Sequence, residues 1–403
     1  MKKNILVVAH GMELGGIERS LIDLLRLFDY ERYNLDLLLF KHGGELFKQI
    51  PESCILLPKD DGLASFQKSI KELFLTKKIN FAILRLLAKI SIFFNPTVRK
   101  REEGKQVGAS LQQKYWDYSI RHLDEIKKEY DAVFSFMWPH HFVAHKVKAK
   151  FKIAWLHTDY SIVEVDRKND EAVWAHFDKI ACVSDECKKV FDAIYPSLES
   201  KTITVENVLS AVFLKEQADA FIPREMASDE SIKLLSVGRF CYQKAFDFAA
   251  LVCKELLNTY PALKWYLIGY GTEEKKLKDL LKKLGIENSF IILGKKDNPY
   301  PYMKACDIYV QASRNEGKAV AVREAQILGK PVLITNFKTA ASQVKNGYDG
   351  LISDMDVSSV KKDIKKLIED EVLRRSLAKN MEDSDYENRA SLNILYELLE
   401  GVK

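Results

Sequence analysis

Long apolar runs are missing from this sequence, and their absence excludes one class of protein. No stretch approaches the roughly 20 consecutive apolar residues that a membrane-spanning helix needs. The first residues, MKKNILVVAHGMELGG, superficially suggest a signal peptide, because two lysines precede an apolar run. That run is only about six residues long and lacks a small-residue cleavage site, so it predicts a first buried β-strand instead.

Cysteine is scarce and scattered, and the chain has only a small excess of positive over negative charge. The six cysteines include no Cys-x-x-Cys pair, which argues against a zinc site or a disulfide framework and fits a reducing cytoplasm. The net charge is only +5 and the isoelectric point about 8.6, so the average charge does not require nucleic acid as a partner. The cysteines are Cys54, Cys182, Cys187, Cys241, Cys253 and Cys306.

Short apolar runs that alternate with helical patterns make up most of the chain. Such alternation is typical of parallel sheets covered by helices on both faces, and 403 residues are too many for one typical core. We therefore predict an α/β protein with two Rossmann-like, doubly wound parallel-sheet domains, and a ligand at the carboxyl ends of the strands. The predicted strands are NILVVA at 4–9, LDLLLF at 35–40, AVFSF at 132–136, IAWLH at 153–157, IACVS at 180–184, IKLLSVG from 232, WYLIG from 265, FIILG from 290, IYVQAS from 308 and PVLIT from 331.

The polar stretch 215–231 has no clear period and contains Pro223, so the domain boundary is expected there or slightly before it. We predict an N-terminal domain over residues 1–212 and a C-terminal domain over residues 213–385. Residues 386–403 are expected to form a C-terminal helix that packs back on the N-terminal domain.

One segment, residues 63–105, interrupts this alternation. It holds ten basic and three acidic residues, an excess larger than that of the whole chain. Inside it, INFAILRLLAKISIFF at 79–94 is apolar almost all round and is interrupted by Arg85 and Lys89. It is too short to span a bilayer, but a helix of this kind can lie on a membrane surface. Such a helix can equally cover the core of a domain, with its charged groups directed to water. Of these two interpretations we favour the membrane-surface helix.

Glycine turns follow two of the predicted strands. GMELGGIERSL at 11–21 places Gly15 and Gly16 at the start of a helix, where backbone amides favour an anion. WYLIGYGTEE at 265–274 is a second strand with a glycine turn into a helix. Neither is a Gly-x-Gly-x-x-Gly fingerprint, and each alone is ordinary architecture.

Fixed charges follow two other strands. In SVGRFCYQKAFDF at 236–248, Arg239 stands just past a strand and Lys244 five residues later, an arrangement that suits a diphosphate but equally describes a solvated loop. In SRNEGKAVAVREAQILGKPVLIT at 313–335, Glu316 and Glu324 flank a helix start. Two such carboxylates can hold a hydrated cation, perform acid–base work or accept hydrogen bonds from hydroxyls, or they can be solvated helix-surface groups.

Taken in order, Arg-x4-Lys, Gly-x-Gly and Glu-x7-Glu make the chain resemble glycosyltransferase family 4. GGIERSL near the N-terminus, KIACVSDECKKVF at 179–191 and ITVENV at 203–208 extend the resemblance over nearly the whole chain. DNPYPYMKACDIYVQASRNEGKAVAVREA is similar to bacterial polysaccharide transferases in particular. The resemblance implies the GT-B fold, in which two Rossmann-like domains face each other across a cleft.

The resemblance also implies roles for the charged residues. Glu316 would contact hydroxyls of the transferred sugar, and Glu324 the ribose hydroxyls of the nucleotide. Arg239 and Lys244 would hold the diphosphate and stabilise the negative charge that develops on it. His157, at the end of a strand, matches the family's histidine near the donor sugar.

The remaining implied contacts come from glycines and their neighbours. Gly15 and Gly16 would let the N-terminal domain's backbone meet the diphosphate, and Gly294 to Tyr300 would border the base. Gly317 belongs to the same turn as Glu316. Lys318 follows it where many relatives have Phe, a departure that would add a donor contact or change the sugar preference.

The activity implied is that of a retaining, metal-independent hexosyltransferase without a cofactor. Its donor would be a nucleotide diphosphate sugar, with UDP expected because relatives often use it. The acceptor would be a glycan or a lipid-linked molecule at the inner face of the cell membrane, with residues 63–105 on the anionic surface and no nucleic acid involved. No Asp-x-Asp metal motif appears in a plausible place.

Two other functions stay open from the sequence. A sugar-nucleotide 2-epimerase has the same fold, although the paired Arg-x4-Lys and Glu-x7-Glu motifs favour transfer. A non-enzymatic membrane or nucleic-acid binder would use residues 63–105 and show a steep salt dependence, but it leaves the strand-end motifs unexplained.

Overall fold

The computed structural model describes residues 2–93, 108–226 and 231–402, which form two compact units. The first unit comprises Met1–Asn207 together with Arg389–Lys403, and the second comprises Val208–Asn388. Residues 94–107, the last part of the basic segment predicted from the sequence, lie outside the described residues.

The first unit is built on a seven-stranded parallel sheet with the order β3-β2-β1-β4-β5-β6-β7. Every strand pair in it is parallel, and the strand order reverses between β1 and β4. The strands are β1 (Lys3–Ala9), β2 (Tyr33–Leu39), β3 (Ile55–Leu56), β4 (Ile126–Ser135), β5 (Val147–Leu156), β6 (Lys179–Cys182) and β7 (Thr202–Thr204). The helices are α1 (Gly16–Leu27), α2 (Asp61–Ala64), α3 (Ile70–Leu75), α4 (Ile79–Phe93), α5 (Gly108–Ser119), α6 (His141–Lys146), α7 (Arg167–Trp174) and α8 (Asp185–Ile194).

The second unit is built on a six-stranded parallel sheet with the order β10-β9-β8-β11-β12-β13, which reverses between β8 and β11. Apolar side chains on both faces of this sheet form two cores with the surrounding helices. The strands are β8 (Lys233–Val237), β9 (Lys264–Ile268), β10 (Phe290–Gly294), β11 (Ile308–Gln311), β12 (Val332–Thr335) and β13 (Leu351–Ser353). The helices are α9 (Ala211–Ala218), α10 (Phe246–Leu257), α11 (Glu274–Leu284), α12 (Tyr300–Ala305), α13 (Val320–Ile327), α14 (Val357–Glu369) and α15 (Glu371–Glu382).

The last helix, α16 (Arg389–Glu400), belongs to the first unit although it ends the chain. The Tyr396 ring stacks on Tyr33 at 5.6 Å, and its hydroxyl accepts a hydrogen bond from the backbone N–H of Asp29 at 2.9 Å. The ammonium of Lys3 donates to the carbonyl of Leu399 at 2.6 Å. These contacts attach α16 to the amino ends of β1 and β2, which are distant from it in sequence.

The boundary between the units lies at 207/208, five residues before the position predicted from the sequence. The backbone N–H groups of Leu209 and Ala211 donate to the backbone and side chain of Glu387, so the chain just after the boundary is bound to the second unit. Helix α9 then buries Leu214 and Ala218 in the second unit's core. The second unit therefore begins ahead of the polar stretch.

The predicted fold class, two doubly wound parallel-sheet domains, is confirmed, and each predicted strand coincides with an observed one. The sequence did not predict β3, β7 and β13, which are two or three residues long and lie at sheet edges. It also missed the polar first halves of β4 and β5, where continuous apolar character is absent. Within the described residues, no helix combines the length and the apolar character that crossing a bilayer requires.

Candidate functional site

The predicted charged residues of the second unit follow two neighbouring strands at the point where the strand order reverses. Strand β8 ends at Val237, two residues before Arg239, and β11 ends at Gln311, five residues before Glu316. Because β8 and β11 pair directly, their carboxyl ends lie side by side. This edge is where parallel α/β sheets bind ligands.

The loop after β8 places Lys244 at the end of a short 3-10 turn, Tyr242–Lys244, directly before α10. Ala245 takes a left-handed conformation, with φ of 52°, which makes the chain turn sharply into the helix. Gly269, at the end of β9, has φ of +150°, and a Cβ there would collide with the carbonyl of Gly238. The glycine turn after β9 therefore supports the Arg239 loop by close backbone packing.

Glu316 receives three hydrogen bonds on a single carboxylate oxygen, Oε1. The Lys244 ammonium donates at 2.5 Å, the Ser313 hydroxyl at 2.5 Å and the Gln311 amide at 3.2 Å. The side chains of Lys244 and Glu316 are only 21% and 11% exposed. The structure thus brings together the cation and the carboxylate that the sequence assigned to the diphosphate and to the sugar.

A buried hydrogen-bond chain leads from the core of the second unit to Glu316, and the sequence did not predict it. The Tyr309 hydroxyl donates to Oε1 of Gln311 at 2.8 Å, and the Gln311 amide donates to the Ser313 hydroxyl at 2.7 Å. All three residues are buried. Burial, followed by the charge of Glu324, holds the pKa of Tyr309 well above its ordinary value, so its hydroxyl stays a donor. The available signal was a polar residue inside the apolar run IYVQAS.

Arg314 joins the loop after β11 to the loop after β8, a contact that we did not predict from the sequence. Its guanidinium binds the carboxylate of Asp247 through two bonds of 3.0 and 2.8 Å, donates to the Tyr242 carbonyl at 2.7 Å and lies over the Tyr242 ring. Burial acts to raise the pKa of Asp247, but the hydrogen bonds and charge of Arg314 lower it below the ordinary value. Arg239, by contrast, is exposed, and no residue in the described part of the chain binds its guanidinium.

Glu324 lies inside the second unit and is almost completely buried. The Tyr300 hydroxyl donates to its Oε1 at 2.8 Å. The alternative of a solvated surface glutamate is therefore wrong for Glu324. The two residues that the resemblance assigned to the ribose and to the border of the base are in direct contact.

The turn that follows Glu316 is fixed by a second loop, residues 339–343. The Thr339 hydroxyl donates to the Glu316 carbonyl at 2.9 Å, and the backbone N–H of Ala319 donates to the Gln343 side chain at 2.8 Å. Lys318 donates to the Ser342 carbonyl at 3.2 Å, so its ammonium binds this loop in the structure. Gly317 lies between these two anchored residues, buried in the turn. Gly294 ends β10 in a left-handed conformation, with φ of 73°.

The remaining predicted site residues, His157, Gly15 and Gly16, belong to the first unit. His157 follows β5, and its Nε2 lies 2.9 Å from the Phe136 carbonyl. Because a carbonyl only accepts, Nε2 carries the ring hydrogen, and the buried Nδ1 has no hydrogen-bond partner among the described residues. Burial lowers the pKa of His157 to about 4, so the ring is neutral near pH 7.

The Gly15–Gly16 turn starts α1, as predicted. Gly15 is the N-cap residue in extended conformation, and α1 begins at Gly16. A Cβ at Gly15 would collide with the carboxylate of Glu18, which therefore faces the helix N-terminus. Across the described residues of both units, no group of three or more His, Cys, Asp or Glu side chains is arranged to hold a metal ion.

Comparison with known proteins gives this geometry a family context. Residues 218–384 match the family model described as glycosyl transferases group 1, and this range contains Arg239, Lys244, Glu316 and Glu324. The predicted resemblance to a glycosyltransferase family is confirmed at this level.

Curated relatives match part of the chain. A glycosyltransferase of Methanocaldococcus jannaschii, described as uncharacterized, is 28% identical over 173 residues, or 42% of this chain and 43% of that protein. The N-acetylgalactosamine-N,N'-diacetylbacillosaminyl-diphospho-undecaprenol 4-alpha-N-acetylgalactosaminyltransferase of Campylobacter jejuni is 30% identical over 145 residues, or 36% of this chain and 39% of that enzyme. The matches thus span less than half the length of either relative.

Solved structures match over nearly the full length. HepE of Anabaena, in complex with UDP and glucose, superimposes with a TM-score of 0.68 and covers 99% of this chain and 100% of its own, at 16% identity. At this identity the likeness shows the fold. The chain therefore has the GT-B fold, and its residues 218–384 match the glycosyl transferases group 1 model.

Proposed function

We propose that the protein is a retaining glycosyltransferase that uses a nucleotide diphosphate sugar, with UDP as the expected nucleotide. The acceptor is a glycan or lipid-linked molecule of cell-surface polysaccharide biosynthesis, and the enzyme acts at the inner face of the cell membrane without a cofactor. The observation that carries the proposal is the contact of Lys244 with Glu316 beside exposed Arg239, where the strand order of the second sheet reverses.

Two of the compared proteins support this choice of substrates. HepE was solved with UDP and glucose bound, which supports a UDP-sugar donor on a shared fold. The Campylobacter relative is named for an acceptor attached to diphospho-undecaprenol, which supports a lipid-linked acceptor.

In the proposed reaction the bond between the sugar's anomeric carbon and the diphosphate breaks, and a bond to the acceptor oxygen forms on the same face. The acceptor proton passes to the leaving phosphate oxygen. Arg239 and Lys244 stabilise the negative charge that develops on the diphosphate, the role that a metal ion has in other transferases. Glu316 accepts hydrogen bonds from sugar hydroxyls through its carboxylate.

Lys244 changes partner in this proposal. Before donor binding its ammonium donates to Glu316 at 2.5 Å, and this contact orders both side chains. A bound diphosphate attracts the ammonium, while sugar hydroxyls replace it at the carboxylate. The ion pair therefore holds both charges near their working positions, so little rearrangement is needed.

Other assignments from the sequence are kept as proposals. Glu324 and Tyr300 serve the nucleoside, and the turn Glu316–Lys318 with Gly294 lines the donor. From the first unit, the unpaired Nδ1 of His157 accepts a hydrogen bond from the donor sugar, and the Gly15–Gly16 amides meet the diphosphate. The first unit takes the acceptor.

The experiment that tests the function measures UDP release from a panel of UDP-sugars, with and without chelator. We expect turnover that EDTA leaves intact, and a loss of kcat of about 10² in both Arg239→Ala and Lys244→Ala. Lys278→Ala, which removes an exposed ion pair with Glu274 on α11, is the matched control and should keep the wild-type rate. Complete loss with EDTA that Mg²⁺ restores would contradict the metal-free mechanism.

NMR of the product distinguishes the mechanisms. A product with the donor's anomeric configuration is expected, and an inverted product would overturn the assignment as a retaining enzyme. Accumulation of the C2 epimer of the UDP-sugar, without transfer, would instead identify a 2-epimerase.

A further inference from the structure

Helix α4 presents an apolar stripe to solvent in the first unit. Six large apolar side chains are each between 45% and 64% exposed, and their spacing of three, four and one residues places them on one side of the helix. Surface helices of soluble proteins normally direct such a stripe to the core. The stripe consists of Ile79, Ile83, Leu86, Leu87, Ile90 and Phe93.

The opposite side of α4 already packs on the first unit. Ala82 and Ala88 are fully buried, and the Phe81 ring meets Phe66 edge-on at 6.0 Å. Arg85 donates to the Lys68 carbonyl and lies over the Tyr115 ring at 5.1 Å. Arg85 and Phe81 therefore attach the helix to its own unit and do not belong to the exposed stripe.

Helix α3 and the turn that follows it extend the stripe. Phe74 and Leu75 are exposed, and α3 contacts α4. Exposed lysines accompany the apolar side chains at Lys71, Lys77 and Lys89. Residues 63–93 hold six basic residues and one acidic residue, Glu72, whose carboxylate accepts a hydrogen bond from the Ser69 backbone in the capping box of α3.

We infer that this surface, the α4 stripe with Phe74, Leu75 and the three exposed lysines, binds an anionic lipid bilayer. The apolar side chains enter the boundary between headgroups and acyl chains, and the lysines contact anionic headgroups. Fifteen residues of helix measure about 22 Å, so α4 lies along the surface and does not cross it.

The lysines favour a bilayer over a protein partner as the occupant. Lysine is depleted at protein–protein interfaces, whereas near an anionic membrane each Lys is favourable. The stripe is also continuous and one-sided along the whole helix, which suits a flat, fluid surface.

The inference rests on the proposed function in one respect: membrane binding would bring the enzyme to a lipid-linked acceptor. Binding itself needs neither donor nor turnover. The two proposals can therefore fail separately.

The test is co-sedimentation of the full chain with vesicles of phosphatidylcholine alone and of phosphatidylcholine mixed with phosphatidylglycerol. Wild type should bind the anionic vesicles preferentially. Lys71→Gln, Lys77→Gln and Lys89→Gln together should lower that binding by about 10²-fold, while the matched changes Lys275→Gln, Lys282→Gln and Lys283→Gln on exposed α11 should not.

A second set of variants addresses the stripe. Ile83→Ser, Leu86→Ser and Ile90→Ser together should lower vesicle binding at least tenfold, since these side chains already face solvent and carry little of the fold. Val212→Ser, Ile222→Ser and Val372→Ser, three exposed aliphatic positions of the second unit, are the matched control and should bind as wild type does.

Turnover of a UDP-sugar by the stripe variants, measured without vesicles, separates the two proposals. Vesicle binding without turnover by wild type would overturn the proposed function and leave the membrane surface standing. Equal binding to both vesicle types, or no binding by folded wild type, would overturn the membrane surface. So would a dimer that the three serine changes dissociate, because a second copy would then cover the stripe.

Discussion

At the scale of single residues, the two carboxylate oxygens of Glu316 differ in their hydrogen bonds. Lys244, Ser313 and Gln311 all donate to Oε1, while Oε2 accepts no hydrogen bond from the described residues. Three donors on one oxygen fix the plane of the carboxylate before any substrate arrives. In the proposed function, the second oxygen would accept a hydrogen bond from a sugar hydroxyl, and its fixed orientation would reduce the entropy cost of binding.

We expect Glu316→Gln to reduce the transfer rate by at least about 10² while UDP binding stays largely intact. A charge-assisted hydrogen bond to a sugar hydroxyl is worth about 1.5 to 3 kcal/mol, and the new amide also faces the Lys244 ammonium with a donor or a weaker acceptor. UDP release reports the rate, and calorimetric titration with UDP reports binding. Normal turnover by the variant would refute the assignment to the sugar.

The buried chain behind Glu316 gives a second residue-scale prediction. Gln311→Leu removes one donor to Glu316 and leaves the buried Tyr309 hydroxyl without its acceptor on Gln311, so we expect kcat to fall about tenfold or more with a smaller change in KM. Gln311→Glu, which can still accept from Tyr309 but repels Glu316, should not rescue the rate. A normal kcat in Gln311→Leu would show that the chain does not position the carboxylate.

At the scale of elements, the site depends on two loops that are held together independently of substrate. Arg314 binds Asp247 at the start of α10 through two hydrogen bonds, and the backbone N–H of Arg314 donates to the Gln243 carbonyl at 2.7 Å. This clamp keeps the loop carrying Lys244 in register with the loop carrying Glu316. The planar guanidinium suits the task, because its two nitrogens donate in parallel to the two carboxylate oxygens, a geometry that a lysine ammonium does not offer.

We therefore expect Arg314→Lys to lower kcat/KM for the donor several-fold, although it preserves the charge. The pair is partly exposed, so the change should cost no more than about 1 kcal/mol of stability. Steady-state kinetics and thermal unfolding measure the two effects. If stability falls but the kinetic constants stay at wild-type values, the clamp supports the fold and not the site.

At the scale of the whole molecule, buried histidines make the first unit's stability depend on pH. Burial lowers the pKa of His10 and His157 from 6.5 to about 4, and that of His140 falls well below 6.5 for the same reason. The unfolded chain binds more protons than the folded chain between these values. Stability is therefore fully present above pH 6.5 and is lost as the pH falls toward 4.

We expect the melting temperature to fall between pH 7 and pH 5, and His10→Phe to reduce this fall. Phenylalanine keeps the ring stack on Phe40 but removes a titrating group, which contributes about 2 kcal/mol to the change over this interval. Thermal unfolding of both proteins at the two pH values is the measurement. An identical fall in wild type and variant would show that His10 does not contribute.

The sequence by itself determined the layered architecture and the order of the motifs along the chain. Short apolar runs and the glycine turns after them are local signals in the sequence. They placed the main strands of both sheets correctly. They also put Arg239 and Glu316 at strand ends, because parallel sheets gather all carboxyl ends on one edge.

Only the tertiary structure decided which groups meet. The chain from Tyr309 through Gln311 and Ser313 to Glu316 depends on rotamers and on the pairing of β8 with β11, which composition and period do not encode. The return of α16 to the first unit joins residues nearly 400 positions apart. Helix α4 is apolar almost all round, so the spacing of its apolar residues in the sequence could not show which side faces solvent. Packing on Phe66 and Tyr115 decided that, because these partners come from other helices and turns of the fold.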